Sequence, residues 1–430
     1  MTTDARISNS KSTNSTRATA AGAIGNVLEQ YDSVIYAFSA VTMAKLFFPE
    51  SGSTSGLMLT FGVFAVGFLA RPVGAVVFGY FGDKYGRRSV LIWSIVLMAV
   101  CTVLIGLLPT YRDIGVAAPL LLTLIRIGQG MSTAGETAGS ATFIVEHAPK
   151  DKRGLLGSFQ QVSSGAGFLL ASLVSIALSL AFTDAQIESW AWRLPFLLGA
   201  VTGLVALYIR IGVPESPEFD RGNTTGVDRP NPLKVLAATS LLATVRSVFL
   251  ISLLVIGYYM FLTYVPTFLR KVVGVATFHA QLSNLVCLGV FVLCIPFFGR
   301  LSDRVGRRPV LMTAAIGFMV GSVPLIALLA TGSLPAVYGG QIVIAVLLAA
   351  VAGVMPATLA EMFPTNVRFS AMSIGWNFSN TLFGGTAPLL ATLLISSTGI
   401  DFAPAFLGVV AAVLCLVIVV PMKETHKAAL

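Results

Sequence analysis

Twelve stretches of this chain run for about 20 residues with almost no charge, and that leaves few folds open. A run of that length spans the hydrocarbon core of a bilayer. Lipid offers no partner to a backbone N–H or C=O, so a spanning segment must be a helix or part of a closed barrel. No two-residue alternation of apolar and polar side chains marks these runs, so helices are expected. Composition agrees: 11% of the 430 residues are charged and 55% hydrophobic, against roughly a quarter charged in soluble domains.

A net charge of +9 invites a nucleic-acid reading, but the placement of the charge argues for topology instead. With the N-terminus in the cytoplasm, 20 of the 28 Lys and Arg fall in inward-facing segments. That bias sets orientation in membranes, so both termini are expected in the cytoplasm and no nucleic-acid partner is expected. The four cysteines all sit inside apolar runs without metal-ligand spacing. No metal or organic cofactor is expected, and no nucleophile–base pairing suggests an enzyme. A Gly-x-x-x-x-Gly-Lys-Ser/Thr loop is absent from the sequence, which argues against ATP as the energy source.

The chain also repeats itself. Gly79-Tyr-Phe-Gly-Asp83-Lys-Tyr-Gly86-Arg87-Arg88 returns 220 positions later as Gly299-Arg-Leu-Ser-Asp303-Arg-Val-Gly306-Arg307-Arg308. Each copy lies between two apolar runs and reads as a short charged loop at the membrane surface. A second phrase, Glu-x-x-Pro-x-x-x-Arg, occurs at Glu146–Arg153 and again at Glu361–Arg368. Two phrases recurring in the same order make two similar halves. The expected division is a cytoplasmic disordered tail (1–19), a six-helix bundle (20–213), a cytoplasmic linker (214–235), a second six-helix bundle (236–422) and a short tail (423–430).

An ionisable side chain at mid-membrane costs roughly 2.5–3.5 kcal/mol even on lenient scales, so it needs a partner or a purpose. The first half holds Glu29, Asp32, Arg71, Arg126 and Glu136 in its spans; in the second half Arg246 is the only comparable charge, and it reads as interfacial. Glu29 and Asp32 share a helix face, and two carboxylates so close suit a group that takes up and releases a proton each cycle. Asp32 is the favoured carrier. Arg71 reads as a partner for Asp32 or for a substrate carboxylate, and a static interhelical ion pair fits equally well. Arg126, Gln129, Thr133 and Glu136 form one stripe on an otherwise apolar helix, which faces an interior or a polar path. Arg126 is the first choice for carboxylate recognition because its planar fork bonds a carboxylate through two nitrogens. Glu136 reads as a second proton site or as a structural partner. Tyr258, Tyr259, Trp376, Asn377 and Asn380 fit an aromatic, hydrogen-bonding wall, although aromatics in spans are more often packing residues.

The paired Gly-x-x-x-Asp-x-x-Gly-Arg-Arg loops resemble the signature of the major facilitator superfamily. The Glu-x-x-Pro-x-x-x-Arg phrases, Gly25-Asn26, Arg71-Pro72 and Gly135-Glu136 are similar to its metabolite:proton symporter family, and the likeness runs from Gly22 to Glu424. It departs at Gln30-Tyr31-Asp32-Ser33, where the family usually has Trp-Phe-Asp. The resemblance implies an all-α membrane protein of twelve helices in two pseudo-symmetric bundles, working as a monomer in a bacterial plasma membrane. It also implies cytoplasmic gating by Asp83, Arg87, Arg88, Asp303, Arg307 and Arg308, with Glu146, Arg153, Glu361 and Arg368. Members carry citrate, α-ketoglutarate, shikimate, or proline and betaine; Tyr258-Tyr259 through Tyr264 and Pro266 look most like the last branch. Two deep arginines favour a proton-coupled symporter for a small di- or tricarboxylate or hydroxy acid. A proline/betaine-type zwitterion symporter is the alternative, and a drug/proton antiporter a third reading.

Overall fold

The computed structural model describes residues 25–85, 87–133, 141–142, 144–146, 148–211, 240–365 and 367–426; side chains at 79, 80, 82–91 and 209–211 fall outside the description. Glu136, the side chains of Asp83, Arg87 and Arg88, the tail 1–19 and the linker 214–235 therefore lie outside the described residues.

What is described contains helices and no strand. Twelve helical rods follow one another: α1 (residues 25–47), α2 (Ser53–Leu69 and Arg71–Tyr85), α3 (Arg87–Leu107), α4 (Ala117–Ser132), α5 (Arg153–Ala181) and α6 (Leu194–Ile211). Then come α7 (Leu241–Ile256 continuing through Leu269–Val273), α8 (Thr277–Val305), α9 (Arg307–Ala330), α10 (Leu334–Met362), α11 (Arg368–Ser379, Asn380–Gly384 and Ala387–Thr398) and α12 (Ala405–Val419). Among the described residues, eight helical segments are long and apolar enough to cross a bilayer. Large apolar side chains such as Trp93, Leu107, Leu180, Leu293 and Val320 are exposed, as expected where the solvent is lipid.

The halves α1–α6 and α7–α12 meet along α5 against α8 and α10 and along α2 against α11, with rings of α2 packed on tyrosines of α7. Small residues let these backbones close. A Cβ added at Gly130 of α4 would stand 1.7 Å from the Gly67 carbonyl oxygen of α2, and one at Gly74 would stand 2.0 Å from the Met131 carbonyl. Only glycine permits that approach, and it brings Arg71 and Arg126 toward one another from neighbouring helices.

Two backbone irregularities shape the middle of the molecule. Pro72 has no N–H, so the Phe68 carbonyl lacks its i+4 amide. The α2 helix breaks at Ala70, and Thr381 of α11 donates its hydroxyl to the Phe68 carbonyl at 2.9 Å. In α7, Gly257–Tyr264 winds as a π-helix, with Thr263 Oγ1 donating to the Tyr258 carbonyl at 3.0 Å. Every residue of this widened turn is buried. Wider turns of this kind recur at functional sites, and here the turn presents consecutive tyrosines to the opposite half.

Candidate functional site

The charges picked out in the first half converge on the interior. Glu29, Asp32, Arg71, Arg126, Gln129 and Thr133 are all buried, Asp32 at 1% and Arg126 at 3% exposure. Ser33 of α1, Gly67, Phe68 and Arg71 of α2, and Arg126, Gln129, Gly130 and Thr133 of α4 surround a cavity of ≈ 10 Å³. That is room for about one water.

Each arginine lies on an aromatic face. The Arg71 guanidinium carbon is 4.0 Å from the Phe68 ring centroid; that of Arg126 is 4.5 Å from Tyr36 and 5.3 Å from Phe64. Such contacts are worth about 0.5–2 kcal/mol, most where water is excluded, and they hold the cations without neutralising them. Arg126 donates to Gln129 Oε1. Gln129 Nε2 in turn donates to Thr102 Oγ1 at 2.9 Å and to the Asp32 carbonyl at 3.3 Å, tying α4 to α1 and α3. A turn of α1 thus positions both the proton candidate and a carbonyl that orients the arginine's neighbour.

The expected pairing of Asp32 with Arg71 is not what the structure holds. Among the described residues neither carboxylate oxygen of Asp32 meets a hydrogen-bond donor, and its polar neighbour Thr102 directs its hydroxyl to the Met98 carbonyl. Arg71 is turned away toward Phe68 and Tyr259. Arg126 is the cation whose charge acts on Asp32.

Across the interface stands the aromatic wall. Tyr259 packs edge-on against Phe64 and Phe68, with ring centroids at 5.8 and 5.0 Å. Phe168 of α5 lies against both Tyr258 and Tyr259. The Tyr258 hydroxyl donates to Gln161 Oε1 of α5 at 2.7 Å, joining the halves. Three α11 residues proposed for this wall stand differently: Trp376 is half-buried, Asn377 donates to its own helix at the Ser373 carbonyl, and Asn380 to that of Trp376.

Sequence reasoning missed Tyr36, Phe64, Phe68, Phe168 and Gln161. A signal existed for α2: Phe61, Phe64, Phe68 and Arg71 carry the same spacing as the Arg126 stripe on α4, ending in a charge. Phe64 and Phe68 passed as ordinary lipid-compatible residues.

At the face carrying the second signature loop, the halves are locked. Asp303 at the end of α8 accepts from the peptide N–H groups of Gly154 and Leu155, at 2.7 and 2.9 Å, in the first turn of α5. Arg307 bonds Asp303 at 2.8 Å and reaches both oxygens of Glu361 at 3.2 and 3.0 Å. Arg368 bridges to Glu146 of the other half at 2.6 Å. Arg307 is 0% and Arg368 2% exposed, so these arginines are not the surface-loop charges expected. The second half holds more buried charge than its sequence implied, while Arg246 is exposed. Arg308 reaches the Val420 carbonyl and stays within its own half; Arg153 is buried at the start of α5. Beyond them the tail folds back: Glu424 accepts from the Arg307 and Arg308 amides at 2.8 and 3.0 Å, capping α9.

Residues 18–225 match the family described as Sugar (and other) transporter, and residues 285–429 the Major Facilitator Superfamily. The Proline/betaine transporter of Escherichia coli (strain K12) is 34% identical over 418 residues, covering 95% of this chain and 83% of the relative. A Putative proline/betaine transporter of Staphylococcus aureus (strain COL) is 36% identical over 395 residues, covering 89% and 83%. In fold, the chain is similar to the MFS proton:xylose symporter XylE bound to 6-bromo-6-deoxy-D-glucose. The TM-score is 0.78 at 19% identity, over 96% of this chain and 97% of that one. A partially occluded inward open form of the E. coli protein gives 0.75 at 20% identity, over 97% and 100%.

Proposed function

The chain belongs to the major facilitator superfamily, and on that premise we propose that it is a proton-coupled symporter for a small zwitterion, a solute of the proline or betaine kind. The observation that carries this reading is the nearness of unlike groups: Arg71 and Arg126 line the central cavity, and Tyr259 packs on Phe64 and Phe68, the rings beside those arginines. Arg126 and Arg71 offer forks for a single carboxylate, while Tyr259, Tyr258 and Phe168 offer ring faces and edges. Ring faces attract an ammonium, quaternary ones included. A second substrate carboxylate would instead meet the buried acids Glu29 and Asp32 on the same side. That argues against the di- or tricarboxylate favoured from sequence, and the relatives named for proline and betaine support the same choice.

In this reading Asp32 is the proton carrier. Protonated, it stops competing for Arg126, which then binds the substrate carboxylate; the loaded, more nearly neutral site crosses the closed state. Coupling follows because proton and substrate act on one electrostatic partner. The clasp of Asp303 with Gly154 and Leu155, and of Glu146 with Arg368, opens on the cytoplasmic side in alternation. The chain works as a monomer in the bacterial inner membrane with both termini in the cytoplasm.

Proteoliposomes test this. Radiolabelled glycine betaine or proline is expected to accumulate under an inward proton gradient and to be displaced poorly by citrate. Accumulation of citrate without either zwitterion returns the reading to organic acids. Protons leaving as the solute enters overturn symport.

A further inference from the structure

A second cavity, of ≈ 80 Å³, lies between the halves on the face opposite the clasp. One water needs roughly 10–15 Å³, so this space exceeds the central one several-fold. It is lined from the first half by Lys45, Asp184, Glu188 and Trp192, and from the second by Arg270, Thr277 and Gln281. Two sets of charge face it. Lys45 and Glu188 form an ion pair on the first half, and Asp184 acts electrostatically on Arg270 across the interface.

Two polar groups at its wall lack partners among the described residues, and a helix starts beside them. The indole N–H of Trp192, in a residue 1% exposed, meets no acceptor. Gln281 Oε1 is buried without a donor. The α8 helix begins at Thr277 behind Ala276, a residue with no side-chain cap to offer, and the first-turn amides of a helix favour an anion. Buried polar groups are nearly always satisfied, so a donor and an acceptor both left over at one cavity call for a ligand with complementary groups.

We propose that this cavity is a second binding site for a small zwitterion, filled before the central site is reached. The carboxylate faces Arg270, the Trp192 N–H and the start of α8; the ammonium faces Asp184 and Glu188. A dicarboxylate is disfavoured, because its second anion would meet those acids. The choice of solute rests on the zwitterion reading of the central site, but the cavity's mixed charge stands apart from it.

Equilibrium binding of radiolabelled glycine betaine to the full chain in lipid nanodiscs decides the matter, read beside uptake in proteoliposomes. The wild type is expected to bind two per chain. Arg270→Gln and Gln281→Leu are each expected to bind one, with slower uptake at low betaine and recovery at saturating betaine. One site in the wild type, lost with Arg126→Gln and unchanged in Arg270→Gln and Gln281→Leu, overturns the second site and leaves the transport reading standing. Binding abolished by Arg270→Gln, with no betaine uptake by the wild type, supports the cavity and overturns the transport reading. Absence of any bound betaine overturns both.

Discussion

Arg126 carries a charge that proteins do not remove and a fork that lysine cannot imitate. Its attachment to Gln129 and its seat over Tyr36 fix the plane of that fork. Arg126→Lys is therefore expected to keep the fold and lose substrate: one charge-assisted hydrogen bond, about 1.5–3 kcal/mol, corresponds to roughly tenfold or more in apparent affinity. Uptake kinetics check it, and an unchanged KM removes Arg126 from substrate recognition. Asp32 separates two functions. Asp32→Asn mimics the protonated carboxyl, so exchange of substrate across the membrane should persist while uptake driven by a proton gradient disappears. If counterflow vanishes with uptake, Asp32 is not a dedicated proton carrier. The identity of these residues was legible in the sequence, because a charge inside an apolar run is conspicuous. Their partners were not: Asp32's carboxylate stands without a donor among the described residues, and ring faces beneath guanidinium groups look like any other phenylalanine in a span.

Among elements, the α2–α4 contact governs the site. Gly67 and Gly130 stand so close that a single methyl at Gly130 would overlap a carbonyl oxygen in the neighbouring backbone. Gly130→Ala must push two helices apart, at about 1–3 kcal/mol or more, and thereby separate the two arginines. A lowered melting temperature in detergent and a loss of uptake are expected together; a variant that melts and transports normally disproves the contact. The capping of α9 gives a second prediction. Burial of the Glu424 carboxyl acts to raise its pKa, but hydrogen bonds from the Arg307, His426 and Arg308 amides and from the His426 side chain outweigh it, leaving the carboxyl below its ordinary value of 4.5. The native form thus releases its proton more readily than the unfolded chain. The cap's contribution, about 1 kcal/mol, is complete above the ordinary value and is lost as pH falls through the depressed one. Thermal melts of the wild type and Glu424→Gln should differ by a constant amount at neutral pH and converge in acid. The repeat made the start of α9 visible in sequence, while the fold-back of Glu424 onto it was not.

At the scale of the whole molecule, twelve helices in two bundles follow from hydropathy and from a phrase written twice; the locking face follows only in part. Asp303, Arg307, Glu361 and Arg368 stood out as letters, but the hold of Asp303 on α5 uses peptide groups, which every residue shares. Leu155→Pro tests that match. Proline is tolerated in the first turn of a helix, so α5 should survive while Asp303 loses one of two donors. The expected result is a shift toward inward-open protein, seen as faster alkylation of cysteines introduced along the cytoplasmic ends of α5 and α8. Unchanged alkylation would show that the second amide contributes nothing to closure.

One side of this lock is a carboxylate that a single codon change can erase; the other, at position 155, is main chain, which every codon but those for proline supplies. Spontaneous variants with a loosened gate should therefore accumulate at Asp303 and its supporting arginine, and hardly ever at position 155, where Leu could give way to most other residues without the latch noticing.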